Sequence, residues 1–160
     1  MPVEVQRDHL VVHDRDLVLV HLLAELHHQI EAVWMYRNIG AVNAELLREV
    51  ISCEEHHARA AATRQLRYWH SDLDDATDLL RRAANDPSSL VRMEAVIAAS
   101  YIGTREALEA VLDVLHHPSG GHLSSAIRCA LGSHTLRPHW ESNPQYGVAR
   151  LLKRLERSSQ

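Results

Sequence analysis

Four alanine-centred strings recur along the chain: QIEAVWMYR around Ala32, RAAATRQLR around Ala62, RMEAVIAAS around Ala95 and SSAIRCAL around Ala126. The alanines lie 30, 33 and 31 residues apart. A period of that length holds a pair of helices and their turns. A unit so small buries its apolar face only against the next copy. The spacing therefore favours a stack of helix pairs over a globin-like or up-and-down bundle. With 160 residues the chain has room for about four such units in one domain.

The best-written copy is Asp86–Gly103, DPSSLVRMEAVIAASYIG. Asp86 is expected to cap a helix, Pro87 to occupy its first position and Gly103 to close it in the left-handed conformation. Leu90, Val91, Met93, Ala95, Val96, Ile97, Ala98 and Ala99 make an apolar surface too broad for a helix with one wet side. Neighbouring rungs must cover it, with Val91, Ala95 and Ala98 expected inside. Arg92 is the residue whose direction matters. Pointing into a neighbouring acidic turn it is a structural ladder residue; facing an open groove it favours a binding role.

Periodicity, caps and breakers place the other helices at about residues 17–26, 27–39, 41–52, 54–69, 71–84, 104–116, 122–136 and 145–155. Gly40 and the turn Pro118-Ser119-Gly120-Gly121 are the clearest punctuation, and Ser71-Asp72-Leu73-Asp74 resembles a capping box. The expected organisation is an N-terminal arm over residues 1–15, then one repeat domain over 16–160 with a C-terminal cap.

No residue is Phe, so alanine, leucine and valine must fill a core of closely approaching helices. The formal charge of −4 argues against a polyanion engaging the whole surface. Thirteen histidines make the net charge turn positive on mild acidification, because imidazole titrates near pH 6.5. Cys53 and Cys129 lack metal-ligand spacing and are expected to be reduced, buried thiols. No signal-peptide pattern and no run of about 18 apolar residues stands out, so a membrane span is not expected.

Asp86-Pro87 followed by Val91-Arg92 and Glu94-Ala95, with weaker echoes at Arg59–Ala62 and Gln29–Ala32, resembles HEAT or phycocyanobilin-lyase-type repeats. The resemblance spans about residues 17–136. It implies an all-α fold, an α-α superhelix of about four helix pairs plus a capping helix. It also implies that the Asp caps the inter-helix turn and that the Arg forms a ladder with its neighbour. The order ARAAATRQLRYW, VRMEAVIAASYIG, ALEAVLDVLHHP, LRPHW further resembles the repeat region of large planctomycete-type proteins. Those proteins join a dehydrogenase-like propeller to a c-type cytochrome domain. In them the repeat region looks like a spacer or docking surface, which is the role the resemblance implies; without a Cys-x-x-Cys-His motif the electron-transfer function does not carry over.

No set of residues converges on chemistry. The doublets His27-His28, His56-His57 and His116-His117 project about 100° apart on a helix and make poor two-ligand units. Glu54-Glu55-His56-His57 is the richest ligand mixture but lacks the HExxH spacing. It reads as an acidic helix start. Cys53 has His56 and His57 at permissive spacing but no orienting acid or oxyanion-hole motif. Asp74, Asp75 and Asp78 mark a helix start, and Gly120-Gly121 does not follow a strand. His134, His139 and Trp140 surround a proline-broken helix end as packing or cap groups. Arg59, Arg64, Arg67, Arg81, Arg82 and Arg92 would form a phosphate-binding strip if the repeats align them, although Asp72, Asp74, Asp75, Asp78 and Asp86 intervene.

The reading is a non-enzymatic scaffold that binds protein, with no catalytic, cofactor-binding or metal residues and no cofactor. It is placed either alone or as the repeat module of a larger redox protein. The alternatives are nucleic-acid binding through the arginines and a lyase-like accessory role on a tetrapyrrole.

Overall fold

A computed structural model describes residues 14–118 and 120–157, so nearly all of the expected N-terminal arm lies outside the described residues. Among them nine α-helices follow one another: α1 Asp14–Asn38, α2 Ala44–Val50, α3 His56–Trp69, α4 Ala76–Ala84, α5 Ser89–Ile102, α6 Arg105–Asp113, α7 Gly121–Leu131, α8 Arg137–Glu141 and α9 Val148–Arg157. Short 3-10 turns lie at His70–Asp72, Val114–His116 and Pro144–Tyr146, and no strand occurs among the described residues. The helices alternate between two layers. In one, α1, α3, α5, α7 and α9 pack in succession; in the other, α4 follows α2 and packs on α6, which packs on α8. This is the expected all-α stack of helix pairs.

The repeat strings form the spine of the first layer. The residue after each alanine, namely Val33, Thr63, Val96 and Ile127, is buried in all four rungs. Ala62 and Ala95 are buried as well, while Ala32 and Ala126, in the outer rungs, are half-covered. Leu47 and Leu80 fill matching places 33 residues apart in the second layer. Small residues at the crossing points let α3, α5 and α7 approach closely, which is how a core without phenylalanine reaches close packing.

One helix replaces two at the N-terminal end. The expected break between residues 26 and 27 does not occur, and α1 runs unbroken for 25 residues. Its sequence holds no Gly or Pro, and histidine doublets alone do not interrupt the ladder of backbone hydrogen bonds. Gly40, at φ 69°, ends it. Among the described residues, one long helix thus stands where two were expected. At the other end α7 stops at Leu131 instead of continuing to residue 136.

Asp86 is not the cap of α5. The N-cap is Ser88, and Asp86 accepts from the Ser88 N–H at 2.8 Å while both its oxygens bind Arg59 at 2.7 and 3.0 Å. Burial opposes ionisation of Asp86, but the Arg59 guanidinium and the Ser88 N–H outweigh it and hold the carboxyl below the ordinary range. A depressed pKa stabilises the fold above the unfolded value of about 3.9, and that stabilisation is lost as pH falls through the folded value. The substitution Asp86→Asn is thus expected to lower the urea midpoint at pH 7. The gap to wild type should close as pH drops below about 4; a gap that persists at pH 2 would show that the carboxylate charge is not its source.

Arg59 and Arg92 act as equivalent ladder residues. Arg59 donates to the carbonyls of Cys53 and Glu54, six and five residues back, and to Asp86 in the next turn. Arg92 donates to the carbonyls of Asp86 and Pro87, at the same offsets, and to the Pro118 carbonyl in the next turn at 2.9 Å. Arg92 is buried and points away from open space. A second ladder joins the other layer, where Arg48 grips Asp75 at 2.7 and 2.9 Å and Arg81 meets Glu109 at 2.9 Å.

Candidate functional site

The exposed face of the first layer is built from the last turns of α1, α3 and α5. Large ring side chains are exposed there: Trp34 on α1, Tyr68 on α3 and Tyr101 on α5. Met35 and Ile39, also exposed, line a separate notch of about 340 Å³ with Ala32 and Tyr36. Arginines lace this surface across the rungs. The Arg37 guanidinium lies 4.1 Å from the centre of the Tyr68 ring, and Arg67 lies 5.5 Å from that of Tyr101. Both distances suit attraction between a cation and a ring face.

The pairing follows the repeat. Arg37 and Arg67 are each five residues after the alanine of their string, and Tyr68 and Tyr101 are each six after theirs. The first two rungs thus each offer an arginine to the tyrosine of the next. Between α3 and α5 the contact is reinforced by Glu94, whose two oxygens accept from Arg64 and Arg67, each at 2.6 Å. Glu94 is nearly sealed, its side chain 4% exposed, while Arg67 is 14% and Arg64 50% exposed. The exposed end of this network is therefore cationic.

The model of HEAT repeats matches residues 44–132, from the start of α2 through the end of α7 and more than half of the chain. The chain belongs to the HEAT-repeat family. No curated protein and no solved structure gave a match. The HEAT match begins after α1, so the rung formed by Arg37 and Tyr68 joins the matched repeats to a helix outside them.

Within the HEAT stack the six arginines considered as a strip are divided. Arg59, Arg64, Arg67 and Arg92 belong to α3 and α5, whereas Arg81 and Arg82 belong to α4 in the other layer. Arg82 donates to the Ser52 hydroxyl at 3.0 Å, and the other five are held by carboxylates or carbonyls as described above. Asp75 takes the bidentate grip of Arg48, which holds its carboxyl below the ordinary range, and gives no side-chain cap to α4.

The structure brings Glu55, His56 and His57 together although they are consecutive. One ligand atom from each lies within 4.8 Å of the others, and the imidazole centres are 4.0 Å apart. Glu55 causes this. Its Oε2 caps α3 by accepting from the Ala58 N–H at 2.7 Å, and its Oε1 draws both Nδ1 atoms, at 2.7 Å for His57 and 3.5 Å for His56. The angular argument from an ideal helix fails here because both imidazoles turn back toward the capping carboxylate. His27 lies 3.2 Å from Glu31 on α1, and His117 meets the Asn85 side chain at 3.0 Å. The His139 ring contacts the Gly103 carbonyl at 2.8 Å, and the Trp140 indole donates to the Leu131 carbonyl at 2.8 Å, as packing groups at a helix end do.

The cysteines differ from the buried pair expected. Cys53 is half-buried, donates to the Glu55 carbonyl at 3.4 Å, and has its thiol pKa pushed up by burial, the opposite of an activated nucleophile. Cys129 is exposed. It occupies the register of Ala98, which is fully buried.

Proposed function

We propose that this chain is a non-enzymatic protein-binding module whose contact surface is the aromatic and arginine-laced face of α1, α3 and α5. The observation that supports it is the clustering of Trp34, Tyr68 and Tyr101 with Arg37 and Arg64 on one exposed face. Aromatic residues and arginine are the types that dominate binding energy at protein interfaces, and a contiguous exposed apolar patch marks a contact site. The repeat architecture presents that face on rigid helices, which limits the ordering cost of association. The arginines on α3 and α5 are spent largely on holding rungs together, so the face offers ring surfaces first and charge second. None of the matches supports a redox, nucleic-acid or tetrapyrrole role over this one.

The test compares wild type with the triple variant Trp34→Ala, Tyr68→Ala, Tyr101→Ala as baits for quantitative affinity capture from the source organism. Removing interface anchors typically costs about 2 kcal/mol or more each, so true partners should fall by about tenfold or more. The thermal melt should fall only modestly, by the loss of two cation–ring contacts and partly covered ring surface, and show that the triple variant is folded at the capture temperature. Partners retained equally by both baits would sink this assignment.

A further inference from the structure

The register of the first layer leaves one place that the chain does not fill. Arg64 and Arg67 stand two and five residues after Ala62, and the carboxylate they share, Glu94, stands one residue before Ala95 on the next helix. One rung earlier the matching places hold Trp34, Arg37 and Ala61. The two rungs are in the same register, because Arg37 lies over Tyr68 as Arg67 lies over Tyr101. Ala61 has no acceptor to offer. Arg37 is exposed and forms no ion pair with a described residue, beside an equally exposed Trp34.

We propose that the place bounded by Trp34, Arg37, Ala61 and Tyr68 receives a carboxylate side chain from a bound protein segment, with an apolar side chain beside it seated on Trp34. This rests on the protein-binding reading and adds the chemistry of the partner. Glu94 is the internal template: the group that one rung draws from its own neighbour, the preceding rung draws from another molecule. Charge agrees. The exposed charges beside the place are the guanidinium of Arg37 and the half-exposed Arg64, while Glu94 is sealed by its own arginines. An acidic side chain is thus attracted to this place. Arg37 is already positioned by the Tyr68 ring and keeps its N–H donors for a carboxylate, a pairing that its planar fork suits.

Random peptides displayed on phage and selected on the full chain supply the probe. Selected peptides are expected to carry Asp or Glu next to Leu, Ile, Phe or Trp. Replacing that acid by its amide, or substituting Arg37→Ala, should weaken binding about tenfold or more. Arg81→Ala, on the other layer, should leave binding unchanged. Ala61→Glu should supply the carboxylate from within, blocking the peptide and raising Tm only while Arg37 is present. Peptides that need Trp34 and Tyr101 but show no acidic preference, and that ignore Arg37→Ala and Ala61→Glu, overturn this inference and leave the protein-binding face standing. Peptides indifferent to Trp34→Ala, Tyr68→Ala and Tyr101→Ala overturn both.

Discussion

Glu94→Ala is expected to destabilise the fold by about 3 kcal/mol, because removing one member of a buried ion pair strands the other. Glu94 accepts from Arg64 and Arg67 at 2.6 Å each, and its side chain is only 4% exposed. Its two partners should respond differently. Arg64 is 50% exposed, so water re-solvates it once the carboxylate is gone. Arg67, at 14%, keeps only the Tyr101 ring and is left without an anion. The loss should therefore reside in the Arg67 half of the network. A double-mutant cycle on urea unfolding is expected to give a coupling above about 1 kcal/mol for Arg67 with Glu94. For Arg64 with Glu94 it should give a few tenths, as exposed pairs do. A Glu94→Ala protein within about 0.5 kcal/mol of wild type would mean that the network costs as much to desolvate as it returns. The same substitution also serves as a control on function. It loosens α3 against α5 without touching Trp34 or Arg37, so peptide binding at the α1–α3 place should outlast it whenever the protein is folded.

Much of the fold was legible because the breakers that end its helices are local. Gly40 and Gly103 close α1 and α5 as their positions suggested, and the turn before α7 is written in Pro118 and Gly120. What escaped was decided by partners distant in sequence. Asp86 looked like a cap because a capping aspartate and a ladder aspartate are the same residue in the same turn. The difference lies in Arg59, 27 residues upstream. The missing break in α1 is a different case: the 30-residue period suggested a helix pair where no residue could end a helix. Cys129 matched Ala98 in register and so read as buried, but Ala98 and Gln65 are sealed in the inner rungs while Met35 and Cys129, at the same register in α1 and α7, are exposed.

The candidate face was half legible. Its residues stood in the strings or directly after them, but nothing singled them out. Arginines at a HEAT-like period look alike whether they bind a carboxylate, a carbonyl, a ring or nothing within the chain. The information was in the comparison between rungs: Glu94 against Ala61, and Arg64 against Trp34. That comparison gains meaning only when Arg37 over Tyr68 and Arg67 over Tyr101 establish that the rungs are stacked alike. Convergence of Glu55, His56 and His57 was illegible for the opposite reason. It is purely local, but it depends on side-chain rotation at a helix start, where ideal helical angles do not apply.

Gly103→Ala is expected to cost about 3 kcal/mol, and Gly40→Ala much less, although the two glycines share the same backbone conformation at φ 69°. The left-handed conformation costs any residue with a Cβ about 1–2 kcal/mol, and both variants incur that. Only at position 103 does the added Cβ also meet the protein. It would lie 2.9 Å from Cβ and 3.3 Å from Cγ2 of Thr135, whereas nothing stands within 4 Å at Gly40. Thr135 cannot simply yield. Its hydroxyl donates to the Ser100 carbonyl at 2.6 Å and contacts the Ser133 hydroxyl at 2.9 Å, tying the loop after α7 to the end of α5. Moving it sacrifices those bonds or shifts the loop, an overpacking penalty of about 1–3 kcal/mol. His139 would feel the same shift, since its ring contacts the Gly103 carbonyl at 2.8 Å. The measurement is the difference in urea midpoint between the two alanine variants, with Thr135→Ser as a partial rescue. Serine lacks the methyl but keeps the Cβ and the hydroxyl, so the double variant Gly103→Ala, Thr135→Ser should recover part of the loss. Equal losses at positions 40 and 103 would assign the whole effect to backbone conformation and remove Thr135 from the closing of this helix.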